Sequence, residues 1–345
     1  RFDHLAAAVL CPDDDVADLH LHELYQLDWR YDETRRAESV FQAVATDHRD
    51  PRVRAVAAQY LALQLHRRGE FDKSKKWLTG NGWRIPFSIV GTWDNQQGKG
   101  LDLVYPPEKE IDLNAMYRTQ NVTSGWRIDP VTGIHGELDL YQLLYPNTGA
   151  VAYAISAVNA AADGDFELHL TTTDPVKVWI NGELVYVEGS GGAWSYDLMA
   201  IPVKLRKGAN RILIKTAQDD GGWDLMARLT GRDGRVPAPG TLSQVPAGTR
   251  PGVMLDEGIN PMSGVDLVEN RLTSIDGGNG RRYFFAVAIS VRMGLGVSSS
   301  EYAEKMTAAF PSSFRGRLEL ALSLWDNQER GRTSDILKSL TEEGG

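Results

Sequence analysis
The spacing of apolar residues divides the chain into helical ends and an alternating middle. In DETRRAESVFQAVATDH, from Asp32, the residues Ala37, Val40, Phe41 and Val44 recur every three or four positions, which predicts a helix. PRVRAVAAQYLALQLHRRGEFDKSKKWL follows, with Pro51 suited to a first helical turn and Val53, Val56, Ala57, Tyr60 and Leu61 on one face. The stripe weakens at Gln64, which Leu63 and Leu65 flank. A break at Arg68-Gly69-Glu70-Phe71 leads into a second helix carrying Lys75, Trp77 and Leu78.

From Asn81 helical spacing stops, and strand signals continue to about Arg235: VAYAISAV from Val151, DFELHLTTT from Asp165, VKVWINGELVYV from Val176, LMAIPVKLRKGANRILIKTAQ from Leu198 and WDLMARLTG from Trp223. Short alternating runs broken by turns predict an antiparallel sandwich rather than a parallel sheet. Asn181-Gly182 is the strongest local signal, because a tight hairpin needs positive φ at both central positions. Lys207 to Asn210 reads as a second turn, joining Ile201, Val203 and Leu205 to Ile212 and Ile214. Val176, Val178 and Ile180 form the inward row of their strand, so Trp179 faces the other way, toward a covering loop, a helical flank or a ligand. GRDGRVPAPGTLSQVPAGTRPG, from Gly231, is rich in Pro and Gly and is the linker candidate. Helical spacing returns in RRYFFAVAISVRMGLG, SSEYAEKMTAAF, SSFRGRLELALSLWDN and RTSDILKSL. The expected units are a helical segment at 1–81, a β-sandwich at 82–235, a linker at 236–280 and a second helical segment at 281–345.

At 345 residues the chain exceeds the ~250 at which single cores usually stop growing, consistent with several units. A formal net charge of -9, with cations scattered among acids, argues against a nucleic-acid partner. The single cysteine, Cys11, rules out an internal disulfide framework and a cysteine-based zinc cluster. No apolar run approaches the ~20 residues of a membrane span. The start, Arg1-Phe2-Asp3-His4, has neither an initiator Met nor a signal-peptide pattern, so a processed or excised piece of a longer protein is expected.

The helix, glycine turn, helix pattern resembles tetratricopeptide-type repeats, with a plain helical hairpin as the alternative. Ser74 stands where that family often has alanine, and Ala286 and Ala321 are separated by close to the roughly 34-residue period of such arrays. In the middle, FSIVGTWDNQQGKGLDLVYPPEKEIDL, SGWRI, VKVWINGELVYV, IPVKL and GANRILIKTAQDDGGWDLMARL resemble galactose-binding-like jelly-roll modules. They look most like the β-sandwich set among tetratricopeptide repeats in large bacterial envelope proteins, some of which carry a transglutaminase-like domain. In that group GPFDN is common where this chain has Gly91-Thr92-Trp93-Asp94-Asn95. The resemblance implies architecture, not a ligand. Lectin relatives that hold sugar through calcium place paired aspartates before the hairpin strand. Here Thr171-Thr172-Thr173-Asp174-Pro175 keeps one carboxylate, which weakens that reading and leaves calcium binding open.

Candidate chemistry is sparse. His20 and His22 stand two apart on a helix, pointing to nearly opposite faces, whereas zinc-binding helices place histidines four apart. Asp13-Asp14-Asp15 reads as acids at a helix start, and the same acids disfavour a Cys11 thiolate. GGNGRR, from Gly277, lacks the Lys-Ser/Thr of a phosphate loop, and Asp219-Asp220 reads as a turn. The remaining candidates are aromatic. Among Trp83, Trp93, Trp126, Trp179, Trp194 and Trp223 the bland reading is sandwich core. Trp194, in the Gly-rich EGSGGAWSYD, is the first candidate for a carbohydrate or partner contact; Trp93 with Asp94 and Asn95 is the second, and Trp179 the third.

The sequence thus leads to a multidomain α and β chain: a jelly-roll-like antiparallel β-sandwich flanked by N- and C-terminal helical repeat segments. The expected role is a non-catalytic scaffold and recognition fragment of a larger bacterial envelope protein, extracytoplasmic, with a protein or peptide partner, no nucleic acid, no cofactor and no residue assigned to a metal site. The alternative is a carbohydrate-binding module recognising an envelope or extracellular glycan.

Overall fold
The computed structural model describes residues 2–11, 17–31, 34–81, 85–120, 122–128, 133, 136–192, 194, 196–197, 199–231, 234, 236–239, 261–275 and 279–343. They fall into two compact units: Arg1–Gly189 with Ser195–Met262, and Ser190–Trp194 with Ser263–Gly345. Trp83 and most of the Pro/Gly-rich stretch lie outside the described residues.

The first unit begins with α1 (Phe2–Val9), α2 (Ala17–Tyr31), α3 (Thr34–Asp47), α4 (Pro51–Arg67) and α5 (Phe71–Gly80). Asp50 caps α4, its Oδ1 accepting from Arg52 N at 2.8 Å with Pro51 in the first turn. Leu21, Leu24, Phe41, Val53, Val56 and Leu61 share one apolar core. Tyr60 is buried in it, with Tyr25 stacked at 4.6 Å and Phe41 at 5.5 Å between ring centroids. Gln64, where the apolar stripe weakens, is buried all the same.

The rest of this unit carries strands β1 (Ser88–Asp94), β2 (Met116–Arg118), β3 (Thr123–Gly125), β4 (Leu138–Asp139), β5 (Ala150–Ala160), β6 (Gly164–Thr172), β7 (Val176–Ile180), β8 (Glu183–Glu188), β9 (Met199–Leu205), β10 (Gly208–Gln218), β11 (Asp224–Gly231) and β12 (Ala238–Pro239). Short helical turns α6 (Pro106–Lys109) and α7 (Leu140–Leu143) interrupt them. One antiparallel sheet runs β1-β5-β10-β7-β8, with β12 on β5; a second runs β4-β11-β6-β9; β2 and β3 pair as a small ribbon. Both larger sheets bury one alternate row: Ala152, Ala154, Ile212, Ile214, Val176 and Val178 in the first, Leu168, Leu170, Ile201, Leu225 and Leu229 in the second. This is the burial pattern of two sheets sharing an apolar layer.

The β7–β8 hairpin turns on Asn181 and Gly182, at φ 52° and 95°. Lys207 to Asn210 does join the two flanking runs, and because β9 and β10 belong to different sheets the chain changes layer there. The Asn210 side chain holds the corner, accepting from Arg206 N at 2.9 Å and donating to Arg206 O and Gly208 O at 2.7 and 2.9 Å. A side-chain bracket of this sort does the work that a tight hairpin turn would otherwise do, and local alternation cannot distinguish the two.

The second unit contains α8 (Gly264–Ser274), α9 (Asn279–Arg292), α10 (Gly296–Ala309), α11 (Phe314–Asp326) and α12 (Arg330–Glu343). The expected linker at 236–280 therefore includes a helix. Ser263 and Asp266 form a capping box, and Leu267, Val268 and Leu272 bury its apolar face. The helix is short, and its pattern is overshadowed by the neighbouring Pro/Gly-rich run.

One turn recurs in both units. After α4, Arg68 N, Gly69 N and Glu70 N donate to Gln64 O, His66 O and Leu65 O. After α9, Met293 N, Gly294 N and Leu295 N donate to Ile289 O, Val291 O and Ser290 O; after α11, Asn327 N, Gln328 N and Glu329 N donate to Ser323 O, Trp325 O and Leu324 O. The middle residue is left-handed each time, with φ 79° at Gly69, 73° at Gly294 and 65° at Gln328. Five residues past Gly69, Gly294 and Gln328 stands a buried hydroxyl: Ser74, Ser299 and Thr333. Ser74 Oγ donates to Ala62 O at 2.9 Å and Thr333 Oγ1 to Ala321 O at 3.4 Å. Sequence follows geometry, Leu61-Ala62-Leu63-Gln64-Leu65 matching Leu320-Ala321-Leu322-Ser323-Leu324.

Candidate functional site
Of the second- and third-choice candidates, Trp93 and Trp179 share the outer face of the larger sheet, on β1 and β7 with β5 and β10 between them. Val90, Trp93, Val151, Tyr153, Ile155, Trp179 and Leu213 form an apolar surface there, covered by Leu101, Tyr105, Ile111, Leu113, Tyr117 and Trp126. Trp179 does face away from the inward row, and it is buried within this cluster. Trp93 and Trp179 are 5% and 4% exposed, so neither ring is open to a sugar; the Trp93 ring meets those of Tyr105, Tyr117 and Tyr153. Asp94 is exposed and bonds Gln96 N at 2.8 Å. Asn95 is a brace: its Nδ2 donates to Asp219 Oδ1 at 2.5 Å, while its Oδ1 accepts from Gly100 N at 3.0 Å. A Cβ at Gly100 would come within 2.5 Å of Val151 Cγ2, so the return of the loop needs glycine.

Lys215 pins the covering loop, and its role was not legible in the sequence. It is fully buried, and its Nζ donates to Leu101 O at 2.8 Å, Leu103 O at 2.5 Å and Glu108 Oε1 at 2.8 Å. Three donors meet three acceptors, so the ammonium is satisfied. Burial lowers its pKa, against the opposing pull of Glu108. Tyr153 donates its hydroxyl to the same Glu108 oxygen, and burial, then the nearby carboxylate, pushes that phenol upward.

The outer face of the four-stranded sheet holds a second buried polar group. Arg228 and His169 are cross-strand neighbours, and Asp197 lies beside them. Arg228 Nε donates to Asp197 Oδ1 and Oδ2 at 2.8 and 2.9 Å, with a further bond from its Nη2. Burial raises the Asp197 pKa, and the Arg228 charge opposes the rise. His169 Nδ1 stands 3.5 Å from Asp197 Oδ2, and its Nε2 makes a 3.1 Å hydrogen bond with Thr230 Oγ1. The order hydroxyl, imidazole, carboxylate is that of a nucleophilic relay, but of its two links only the one to Thr230 is a hydrogen bond. Here all three are at most 3% exposed and Asp197 is committed to Arg228, so no substrate atom reaches the hydroxyl in this arrangement.

Helices supply the cover. Arg52, at the start of α4, lies in the field of Asp50, Asp18 and Glu167, and Tyr196 meets Tyr60 edge-on at 5.5 Å. A Cβ on Gly234 would strike Pro51.

The first-choice Trp194 is half-buried and belongs to the helical second unit. Gly192, two residues before it, has a packing reason: a Cβ there would lie 2.5 Å from Arg292 O; facing it, a Cβ on Gly294 would lie 1.8 Å from Gly191 O. His22 Nδ1 is within 2.9 Å of Tyr60 Oη. Among the described residues no group of three His, Cys, Asp or Glu side chains is placed to hold a metal ion, and no helix is long and apolar enough to cross a membrane.

No known family profile and no curated protein matches the chain. Among solved structures it is similar to an anti-sigma factor domain-containing protein from Clostridium clariflavum, at 10% identity and TM-score 0.27, over 45% of this chain and 46% of that one. A β-glucosidase from Kluyveromyces marxianus gives 12% identity and TM-score 0.25, over 41% of this chain and 14% of the enzyme. A GH31 α-xylosidase from Xanthomonas citri gives 9% identity and TM-score 0.24, over 42% and 14%. The chain therefore spans less than half the length of each of these proteins.

Proposed function
We propose that this chain is a non-catalytic scaffold and recognition part of a larger bacterial envelope protein, binding a protein or peptide through its helices. In this reading the hairpins α4–α5, α9–α10 and α11–α12 are copies of one tetratricopeptide-like repeat, and the two sheets form a jelly-roll-like sandwich that falls between the copies in chain order. The observation that supports it best is the recurrent turn, whose buried hydroxyls Ser299 and Thr333 are 34 positions apart. Repeats of this kind present extended binding surfaces. A suitable apolar contact exists on the last hairpin: Leu322 and Trp325, three apart on α11, are 52% and 51% exposed, with the Arg330 guanidinium 3.5 Å over the indole.

The test is capture of envelope proteins on the immobilised chain, alongside a Leu322→Ser/Trp325→Ala variant that keeps its melting temperature. A defined partner retained by the parent and lost by the variant supports the reading. No partner above background, with unchanged cellular function of the variant, removes it.

A glycan-binding role is the second reading, favoured by the partial exposure of Trp194 where Trp93 and Trp179 are covered. Reproducible glycan-array binding abolished by Trp194→Ala would place it ahead of the first.

A further inference from the structure
The turns of the sheets contain three Asx-Gly pairs with described side chains: Asp163-Gly164, Asn181-Gly182 and Asp220-Gly221. Such pairs are chemically special, because glycine leaves the following main-chain nitrogen unshielded. Two of the three are held away from reaction. Asn181 is fixed at both ends of its amide, Nδ2 donating to Asn210 Oδ1 and Oδ1 accepting from Arg211 N, each at 2.8 Å. Asp163 Oδ1 accepts from Lys207 N across the sheet at 2.6 Å.

Asp220 differs. Among the described residues, the hydrogen bond made by its carboxylate is to Gly221 N, at 2.8 Å, in a fully exposed loop. The carboxyl carbon is thereby held against the one nitrogen that can cyclise onto it. Gly221 has φ 100° and nothing within 4 Å of where a Cβ would stand, so the residue that carries the attacking nitrogen is uncrowded on that side.

We propose that Asp220-Gly221 is a site of spontaneous aspartate isomerisation. Gly221 N bonds to Asp220 Cγ; the carboxyl hydroxyl leaves with the amide proton as water, giving a cyclic imide. Water then adds back. Opening at the Cγ–N bond restores aspartate, whereas opening at the bond between Gly221 N and the Asp220 main-chain carbonyl carbon leaves the chain running through Cβ and Cγ. No oxidant or cofactor is required.

The product lengthens the β10–β11 loop by one main-chain atom next to Asp219, which receives the Asn95 brace and whose carbonyl accepts from Gly149 N at 2.8 Å. Isomerisation thus acts on the anchoring of the covering loop.

The full chain is stored warm at mildly acidic pH, and isoaspartate is located by electron-transfer fragmentation of its peptides and by isoaspartyl methyltransferase labelling. Isomerised product is expected at Asp220 about tenfold faster than at Asp163 or Asn181, as positioning of reacting atoms predicts. In concentrated urea the preference should collapse, Asn181 overtaking once its amide is released. Asp220→Glu, which would need a larger ring, should abolish the signal without altering the melting temperature. Equal rates at the three pairs in the folded chain, or the same ranking in urea, would overturn the proposal.

Discussion
The two sheets cover their outer faces differently. On the larger sheet the cover is a loop continuous with its own edge strand, and one ammonium holds it by two main-chain carbonyls and one carboxylate. On the smaller sheet the cover comes from a distant helical segment, and beneath it Arg228 pairs with Asp197, with His169 and Glu167 close by. A main-chain clasp tolerates loss of one donor by local loosening. A buried ion pair does not, because removing one partner strands the other.

The largest effect is therefore expected at the helix-covered face. Asp197→Ala should cost about 3–5 kcal/mol in urea unfolding, while Asp197→Leu with Arg228→Met should recover most of it. If the double variant is no better than the single one, the pair is doing more than neutralising itself. Lys215→Met should cost about 1–3 kcal/mol, and its main signature should be faster hydrogen exchange and proteolysis within residues 95–118. Global unfolding at the same rate as the Asp197 variant would erase the contrast between the faces.

A third test uses the carboxylates near the turns. Burial, then Asp224 and Asp219, raises Asp174 from 3.8 to about 7, against the Thr173 hydrogen bond; burial, then Asp139 and Glu137, raises Asp224 to about 6. Both folded values lie above the unfolded ones, so this contribution to stability is present at low pH and is lost as pH rises through about 6 to 7. Asp174→Asn should flatten that slope and raise the melting temperature at mildly alkaline pH by about 2–4 °C, read by calorimetry. The smallest effect belongs to the repeated turn. Ser74→Ala and Thr333→Val should each cost about 0.5–1 kcal/mol, and the two should agree if the hairpins are equivalent. Unequal costs would count against a shared repeat unit.

Local patterning reached the helices α3, α4 and α5, the strands β5 to β11 and the Asn181-Gly182 turn, because each is specified by neighbours in sequence. It also placed Trp179 on the face opposite Val178. What covers that face is set by contacts across a hundred residues, as from Lys215 to Leu101, and alternation alone assigns such a lysine to solvent. Arg228 misleads in the same way: its strand neighbours state which side it points to, not that a helix lies there. Ser74 is the converse. A mismatch to the expected alanine, it donates to Ala62 O, which makes it a fitted residue.

The division of the chain has a consequence for anyone who would cut it. Ser190–Trp194 belongs to the helical unit, so the chain passes from one unit to the other after Gly189, returns after Trp194 and passes again after Met262. A break at any single peptide bond in those passages leaves the remaining ones intact. Shuffling by recombination, which moves domains as uninterrupted cassettes, has no clean place to act here; a gene fragment ending near Met262 would encode a five-residue segment whose Gly192 fits against a helix that is no longer there.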